Sequence, residues 1–332
     1  MEGKRVDIIF IQAIQELELP PLPVDGLRLD DSCCLCPVGD EVRMLLDHIL
    51  LPFIGAVHHE TLRNAPAVNY VKQLSSAPIT QDEADRTLLG LMTWSQLFLL
   101  STWLVKDNSG NTGDGHLLLA EVGPGVKGVH SQRPGVLNFT ADCHRVSTTL
   151  CQEEFDAAVA HFNQLKGIIP FREWKFDEPR PSGLIFDSRL VRTIYFAQAA
   201  RASAEIALKL AFQCLCFESL CASSADSISH RVCERAALLL GPGGKGSRAV
   251  YATVRELYKQ RSVVVHGDPI KQKKIPELRE LAKRADDCLR RTLWRILASE
   301  ELLKLFSTNN ATAIDEYFLG RIFPDPAPDR VQ

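Results

Sequence analysis

No C-x2-C pair or His-x3-His partner completes a recognisable zinc pattern in this chain. It also lacks the Gly-Lys-Ser/Thr ending of a phosphate loop. The stretch Gly241-Pro-Gly-Gly-Lys-Gly-Ser247 begins like one, but an apparent helix precedes it where a strand is required, and it reads as a connection between helices. No His-Glu-x-x-His develops from His58-His59-Glu60, and adjacent imidazoles do not share a helix face. His144, His161 and His230 have no evident partner in the sequence. No internal repeat or coiled-coil heptad stands out, which leaves an ordinary globular chain that requires no metal or cofactor.

What is present is length, apolar content and an uneven charge. With 332 residues, 45% of them apolar, the chain can build two domains with cores of normal size. The net charge of −3 gives no overall sign of a nucleic-acid binder. From Lys245 to Arg295, however, fourteen Lys or Arg face six Asp or Glu, a local excess of eight that leaves the remainder at −11. Such a stretch attracts a phosphate backbone with strong salt sensitivity, although a solvated helix face has the same composition.

Ten cysteines are present, but Met1-Glu2-Gly3-Lys4-Arg5 leads into a short strand-like run without the long apolar segment of a secretory signal. A reducing cytoplasm is therefore expected, with Cys214, Cys216, Cys221, Cys233 and Cys288 as free thiols in helical segments. Cys33, Cys34 and Cys36 form the one tight cluster of the N-terminal half.

Local patterns divide the chain near residue 180. The first part, 1–180, reads as a mixed α+β domain: a strand at Val6 to Ile11, a Pro-rich connection at Pro20, Pro21 and Pro23, and a helix from Glu41 to Val57. A polar Gly-rich loop follows at Asp107 to Gly115, then strands at His116 to Val122 and Val136 to Cys143, and a helix at Glu153 to Lys166. Between Thr87 and Val105 nineteen residues pass without a charge, the length of a membrane span. Thr93, Ser95, Gln96, Ser101 and Thr102 interrupt it, so a buried helix is expected and no membrane contact. Residues 181–307 read as an all-α bundle. Asp187 or Ser188 caps a long helix through Ala222, Ser227 or Ser229 caps a shorter one ending at Gly241, and Ser247 caps a third. The last helix starts near Pro276 and carries Leu278, Leu281, Ala285, Leu289, Thr292 and Ile296 at three-to-four spacing. Residues 308–332 are expected to be a tail.

Within the basic stretch the chain reads Leu-Tyr-Lys-Gln-Arg-Ser-Val-Val-Val-His-Gly, with Arg261 and His266 five positions apart. An imidazole near neutral pKa can take the proton of a ribose 2′-hydroxyl or return one to the leaving oxygen, while a guanidinium stabilises charge on the phosphate. Five positions correspond to about 140° on an ideal helix, so the two side chains meet only if the helix ends there or if two copies of the chain come together. Three valines followed by Gly267 suggest such an end.

Phe217-Glu218-Ser219-Leu220, Arg235-Ala-Ala-Leu-Leu-Leu-Gly241 and Leu257-Tyr258-x-x-Arg261-Ser262-x-x-x-His266-Gly267 together resemble the Apea-like branch of the HEPN superfamily. The resemblance covers residues 185–305, under half of the chain. It implies a HEPN-type helical bundle that forms a homodimer, and a metal-independent endoribonuclease of toxin or phage-defence systems. Arg261 and His266 are then the catalytic pair, and Ser262 and Glu218 are candidates to orient them. Lys259, Lys271, Lys273 and Lys274 are the candidate RNA contacts of the basic stretch. The resemblance further implies restraint by the N-terminal domain, released by a phage-derived trigger or set by an antitoxin. The alternative is a non-catalytic HEPN module that binds RNA or a partner protein.

Overall fold

Strict alternation governs the first strand, β1 (Val6–Gln15): Val6, Ile8 and Phe10 point to one face of the sheet, Ile11 and Ala13 to the other, and all five are buried. A strand that is apolar on both faces needs a layer on each side, and it has them. The computed structural model describes residues 6–75, 79–121, 126–169, 188–223, 228–241, 245–265 and 271–323. Their contacts divide the chain into two compact units, one within Met1–Thr140 and His144–Arg180, the other within Ala141–Cys143 and Pro181–Gln332.

The N-terminal unit is built on a six-stranded antiparallel sheet in the order β3 (Leu27–Asp30), β4 (Cys33–Cys36), β5 (Ala67–Ser75), β1, β6 (Asn111–Glu121), β7 (Val126–Gln132). Two short strands, β2 (Leu17–Glu18) and β8 (Thr148–Thr149), pair in parallel beside it. The face carrying Phe10, Val71 and Leu117 is covered by α3 (Gln81–Val105) through Leu88, Leu91 and Met92. The other face, with Ile11, Val68 and Leu118, is covered by α1 (Asp40–Leu45), a π-helical turn (Leu46–Leu50) and α2 (Leu51–Arg63). Gly55, at φ +76°, breaks the regular helix inside α2, so the single helix expected from Glu41 to Val57 is a succession of short ones. α4 (Gln152–Ile168) packs outside α3, with Trp94 against Phe162 at 5.8 Å and Phe98 against Phe155 at 6.4 Å between ring centroids.

α3 is the one described helix long and apolar enough to cross a membrane, and two thirds of its apolar stretch is buried inside the unit. Its polar residues are satisfied within the protein. Ser95 accepts a hydrogen bond from Asn69 at 2.9 Å, Gln96 donates to Thr112 at 3.0 Å, and the Ser101 and Thr102 hydroxyls bond carbonyls one turn back.

Two further expectations for this unit need correction. Val136 to Cys143 forms no strand; the Asn138 side chain donates to the Gly110 carbonyl at 2.8 Å while its backbone N–H donates to Asn111 at 2.7 Å, and these side-chain bonds replace a ladder. The seventh strand lies earlier, at Val126–Gln132. β6 already begins at Asn111, inside the stretch that reads as a polar loop.

The second unit is all helical among its described residues from 188 onward: α5 (Arg189–Ala202), α6 (Ile206–Cys221), α7 (Ile228–Leu240), α8 (Lys245–Val265), α9 (Ile275–Leu297), α10 (Glu300–Phe306) and α11 (Ala311–Ile322). Ser188 caps α5 by accepting from the Val191 N–H. The long helix expected to run through Ala222 is interrupted at Ser203, whose extended backbone lets α6 fold back along α5; the buried Lys209 ammonium then donates to the Ala200 carbonyl at 2.7 Å. Ser247 lies inside the first turn of α8 instead of capping it, and its hydroxyl donates to the Gly241 carbonyl. All six apolar-stripe residues expected for α9, from Leu278 to Ile296, are buried. The expected tail contains α11, because Ile314 and Phe318, four positions apart, give it a buried face.

Buried cations knit this unit together. Arg189 donates to the carbonyls of Ser219 and Ala222 at 3.1 and 2.5 Å, closing the C-terminus of α6. Arg235 binds the Cys221 carbonyl at 2.8 Å, pairs with Asp315 of α11 and lies over the Phe318 ring. Burial works to raise the Asp315 pKa, but Ser223 and Arg235 draw it below the usual carboxylate range.

Candidate functional site around Arg261

α8 buries Val250, Thr253, Val254, Leu257 and Tyr258, a stripe of three-to-four spacing that packs on α6 and α7. Arg261 follows one turn after Leu257 and Tyr258, so it leaves the core at the end of that stripe with its side chain 35% exposed. There it meets Glu218 of α6, a carboxylate only 14% exposed, with Nη1 3.6 Å from Oε1. That separation is an ion pair but longer than a hydrogen bond, and Arg261 makes no other ion pair among the described residues. Its remaining N–H groups are available to an anion.

Two further groups surround the pair. The Cys214 thiol, one turn before Glu218, approaches the same Oε1 at 4.0 Å. The Tyr258 hydroxyl is buried beside them and has no hydrogen-bond partner of ordinary geometry among the described residues. Burial pushes the Tyr258 phenol above its usual range, and Cys214 and Glu218 push it further, so it stays protonated. The Cys214 thiol is raised for the same reasons, burial first and Glu218 second.

Arg261 also lines a pocket of about 590 Å³ between α7 and α8. From α8 come Tyr251, Arg255, Tyr258, Lys259 and Ser262; from the first turns of α7 come Ser229, His230 and Cys233. Among the described residues no carboxylate lines it. The structure thus brings Arg261, Ser262 and Lys259 to one pocket and Glu218 to its edge. Lys271, Lys273 and Lys274 do not line it; they are exposed in the short 3-10 turn Gln272–Lys274 and its preceding residue. α8 continues to Val265, so Arg261 is well inside the helix, and His266 lies outside the described residues, directly after it.

His230, Tyr251 and Arg255 are pocket residues that sequence reasoning did not connect to the motif. Two of them were within its reach: Tyr251 and Arg255 share with Tyr258 and Ser262 of the motif the three-to-four spacing of one helix face. His230 was not, since only the packing of α7 on α8 brings it there, with its ring 6.1 Å from that of Tyr251.

The clusters of the N-terminal unit are occupied differently. His58 pairs with Asp114 at 3.4 Å and His59 with Asp47 at 2.7 Å, so the adjacent imidazoles serve separate carboxylates. All ten cysteines are free thiols. Cys34 and Cys36 share one face of β4 with sulfurs 3.7 Å apart, packed against Gly26, whose φ of +80° has no room for a Cβ beside the Cys36 sulfur. The hydrogen bond from Cys36 lowers the Cys34 pKa to about 7, while burial holds Cys33 far above the ordinary thiol value. Among the described residues no three His, Cys, Asp or Glu are arranged to hold a metal ion. Compared with family models, curated proteins and solved structures, the chain finds no match, so the site is read from its own residues.

Proposed function

We propose that the helical unit is a metal-independent endoribonuclease of HEPN type, with Arg261 and His266 as its catalytic pair. The observation that carries this reading is the placement of Arg261: held by Glu218 at the end of a buried helix stripe, with no other ion pair among the described residues, beside a pocket whose described lining holds cations and no carboxylate. A guanidinium so placed fits the non-bridging oxygens of a phosphodiester. The R-x4-H spacing puts His266 immediately after the end of the described part of the same helix.

In the reaction His266 takes the proton of a ribose 2′-hydroxyl, the freed oxygen attacks the adjacent phosphorus, and the bond from phosphorus to the 5′-oxygen breaks. The leaving oxygen collects a proton from the imidazolium so formed or from that of a second copy. Arg261 stabilises the charge that builds on the phosphate. Products carry a 2′,3′-cyclic phosphate and a 5′-hydroxyl, and DNA, which has no 2′-hydroxyl, survives. Glu218 is a positioning residue that fixes the Arg261 rotamer, and Ser262 offers a hydroxyl on the pocket side. Under this reading the unit works as a homodimer in the cytoplasm, in phage defence or as a toxin, restrained by the N-terminal unit until a phage-derived trigger or the loss of an antitoxin releases it.

The test is incubation of the purified chain with transfer RNA and with DNA of equal length in EDTA, followed by mapping of the product ends. Cyclic phosphate ends on RNA alone are the expected result. Cleavage that requires a divalent cation, or that leaves 5′-phosphates, would overturn the mechanism.

A further inference from the structure

Resting on that reading, we infer that the pocket between α7 and α8 seats one unpaired ribonucleotide of the RNA, its phosphate against Arg255 and Arg261 and its base against the rings of His230 and Tyr251. Three observations converge on this ligand. The first is charge. Arg255 is exposed and forms no ion pair among the described residues, Arg261 holds Glu218 at more than hydrogen-bonding distance, and Lys259 is tied only to Glu256, an exposed i, i+3 pair at 3.0 Å that a phosphate can replace at little cost. With three cations and, among the described residues, no carboxylate in the lining, the pocket favours an anion.

The second is the ring pair. Tyr251 is half-buried and His230 exposed, at 73° to one another, so a base that stacks on one ring meets the other edge-on. Cations interleaved with aromatic faces are how proteins hold single-stranded nucleic acid: the base stacks, the backbone is neutralised, and neither contact requires a duplex. An acidic peptide would use the cations but has no claim on the rings. The third is size. A volume of about 590 Å³ accommodates a small organic ligand the size of one nucleotide, with part of its surroundings. Cleavage by 2′-hydroxyl attack requires a splayed, flexible linkage, and a pocket that extracts one base beside Arg261 supplies it. The substrate class is therefore single-stranded or loop RNA, with one nucleotide flipped into the pocket next to the scissile phosphate.

The test is isothermal titration of the full chain in EDTA with adenosine 3′-monophosphate, adenosine and inorganic phosphate as separate probes. The nucleotide should bind about tenfold or more tightly than phosphate, and Tyr251→Ala should remove that advantage while leaving phosphate binding within about twofold. Arg255→Ala should weaken the nucleotide and phosphate alike. Tyr251→Phe, which keeps the stacking face and the fold, should bind the nucleotide as the wild type does. Equal binding of nucleotide and phosphate, no binding of either, or an unchanged nucleotide affinity in Tyr251→Ala would each overturn the inference. Repeating the titration with His266→Ala separates it from the nuclease reading. Nucleotide binding by a chain whose wild type cuts no RNA defeats only the nuclease, whereas cleavage in EDTA by a chain that prefers no nucleotide defeats only the pocket.

Discussion

In the N-terminal unit the polar side chains shut away from water are neutral, among them Gln12, Asn69, Ser95, Asn111 and His116, whereas the helical unit buries Arg189, Arg201, Lys209 and Arg235. The difference follows from what each architecture leaves unsatisfied. An antiparallel sheet pairs its own backbone, and amides or hydroxyls suffice where α3 or a loop crosses it. A helical bundle ends each helix with orphan carbonyls carrying partial negative charge, and a cation on a long stem reaches them from a neighbouring helix. The same residue types then serve two purposes within one unit: Arg189 and Arg235 are consumed by carbonyls and Asp315, while among the described residues Arg255 forms no ion pair and Arg261 only the long one to Glu218, both at a pocket.

Stability measurements can break this comparison. Arg235→Met should lower unfolding stability in urea by about 3 kcal/mol, since it removes a buried cation from the Cys221 carbonyl, the Phe318 ring and Asp315 together, while Arg261→Met, which gives up one pair at 3.6 Å made by a partly exposed guanidinium, should lower it by about 1 kcal/mol. Equal losses would mean that Arg261 is as structural as Arg235.

The neutral polar groups of the sheet make the complementary prediction. Burial pushes the His116 imidazole down to about 4, Asp114 opposing and His58 reinforcing the shift, while its Nδ1 pairs with the Ser131 hydroxyl at 2.7 Å. The unfolded chain, with an ordinary imidazole, therefore takes up the proton first. Stability should fall as pH drops from about 6.5 to 4, by at most about 3 kcal/mol from this group, and level off below. His116→Gln should show a correspondingly flatter profile in urea midpoints between pH 7.5 and 5; identical slopes would show that the protonated ring is accommodated.

The smallest effect is expected at the edge of the pocket. Glu218→Gln should change stability by under about 1 kcal/mol yet lower the turnover of RNA about tenfold, with KM little altered, because the variant loses the charge that orients Arg261 and no contact with RNA. A change confined to KM would make Glu218 a binding residue.

Much of the architecture was legible where a residue pattern repeats. The α9 stripe, the strand at Val6 to Ile11 and the uncharged run of α3 all reappear as buried elements. β3, β4 and β5 were not legible. β3 and β4 are four residues each, Cys33, Cys34 and Cys36 read as a thiol cluster before they read as a strand, and β5 buries Asn69 where alternation calls for an apolar residue. Asn69 is there because its side chain serves Ser95 and the Cys34 N–H, a tertiary requirement that no local pattern carries. The site divides in the same way. Glu218 and Arg261 stand 43 positions apart and were linked by motif alone, and their approach to 3.6 Å depends on α6 packing against α8.

The most direct measurement is the cleavage of a single transfer RNA in EDTA by the wild type, Arg261→Ala and His266→Ala, each checked for folding by circular dichroism. The account predicts cleavage by the wild type and a loss of about a hundredfold or more in both variants. Equal cleavage by all three folded proteins would contradict it.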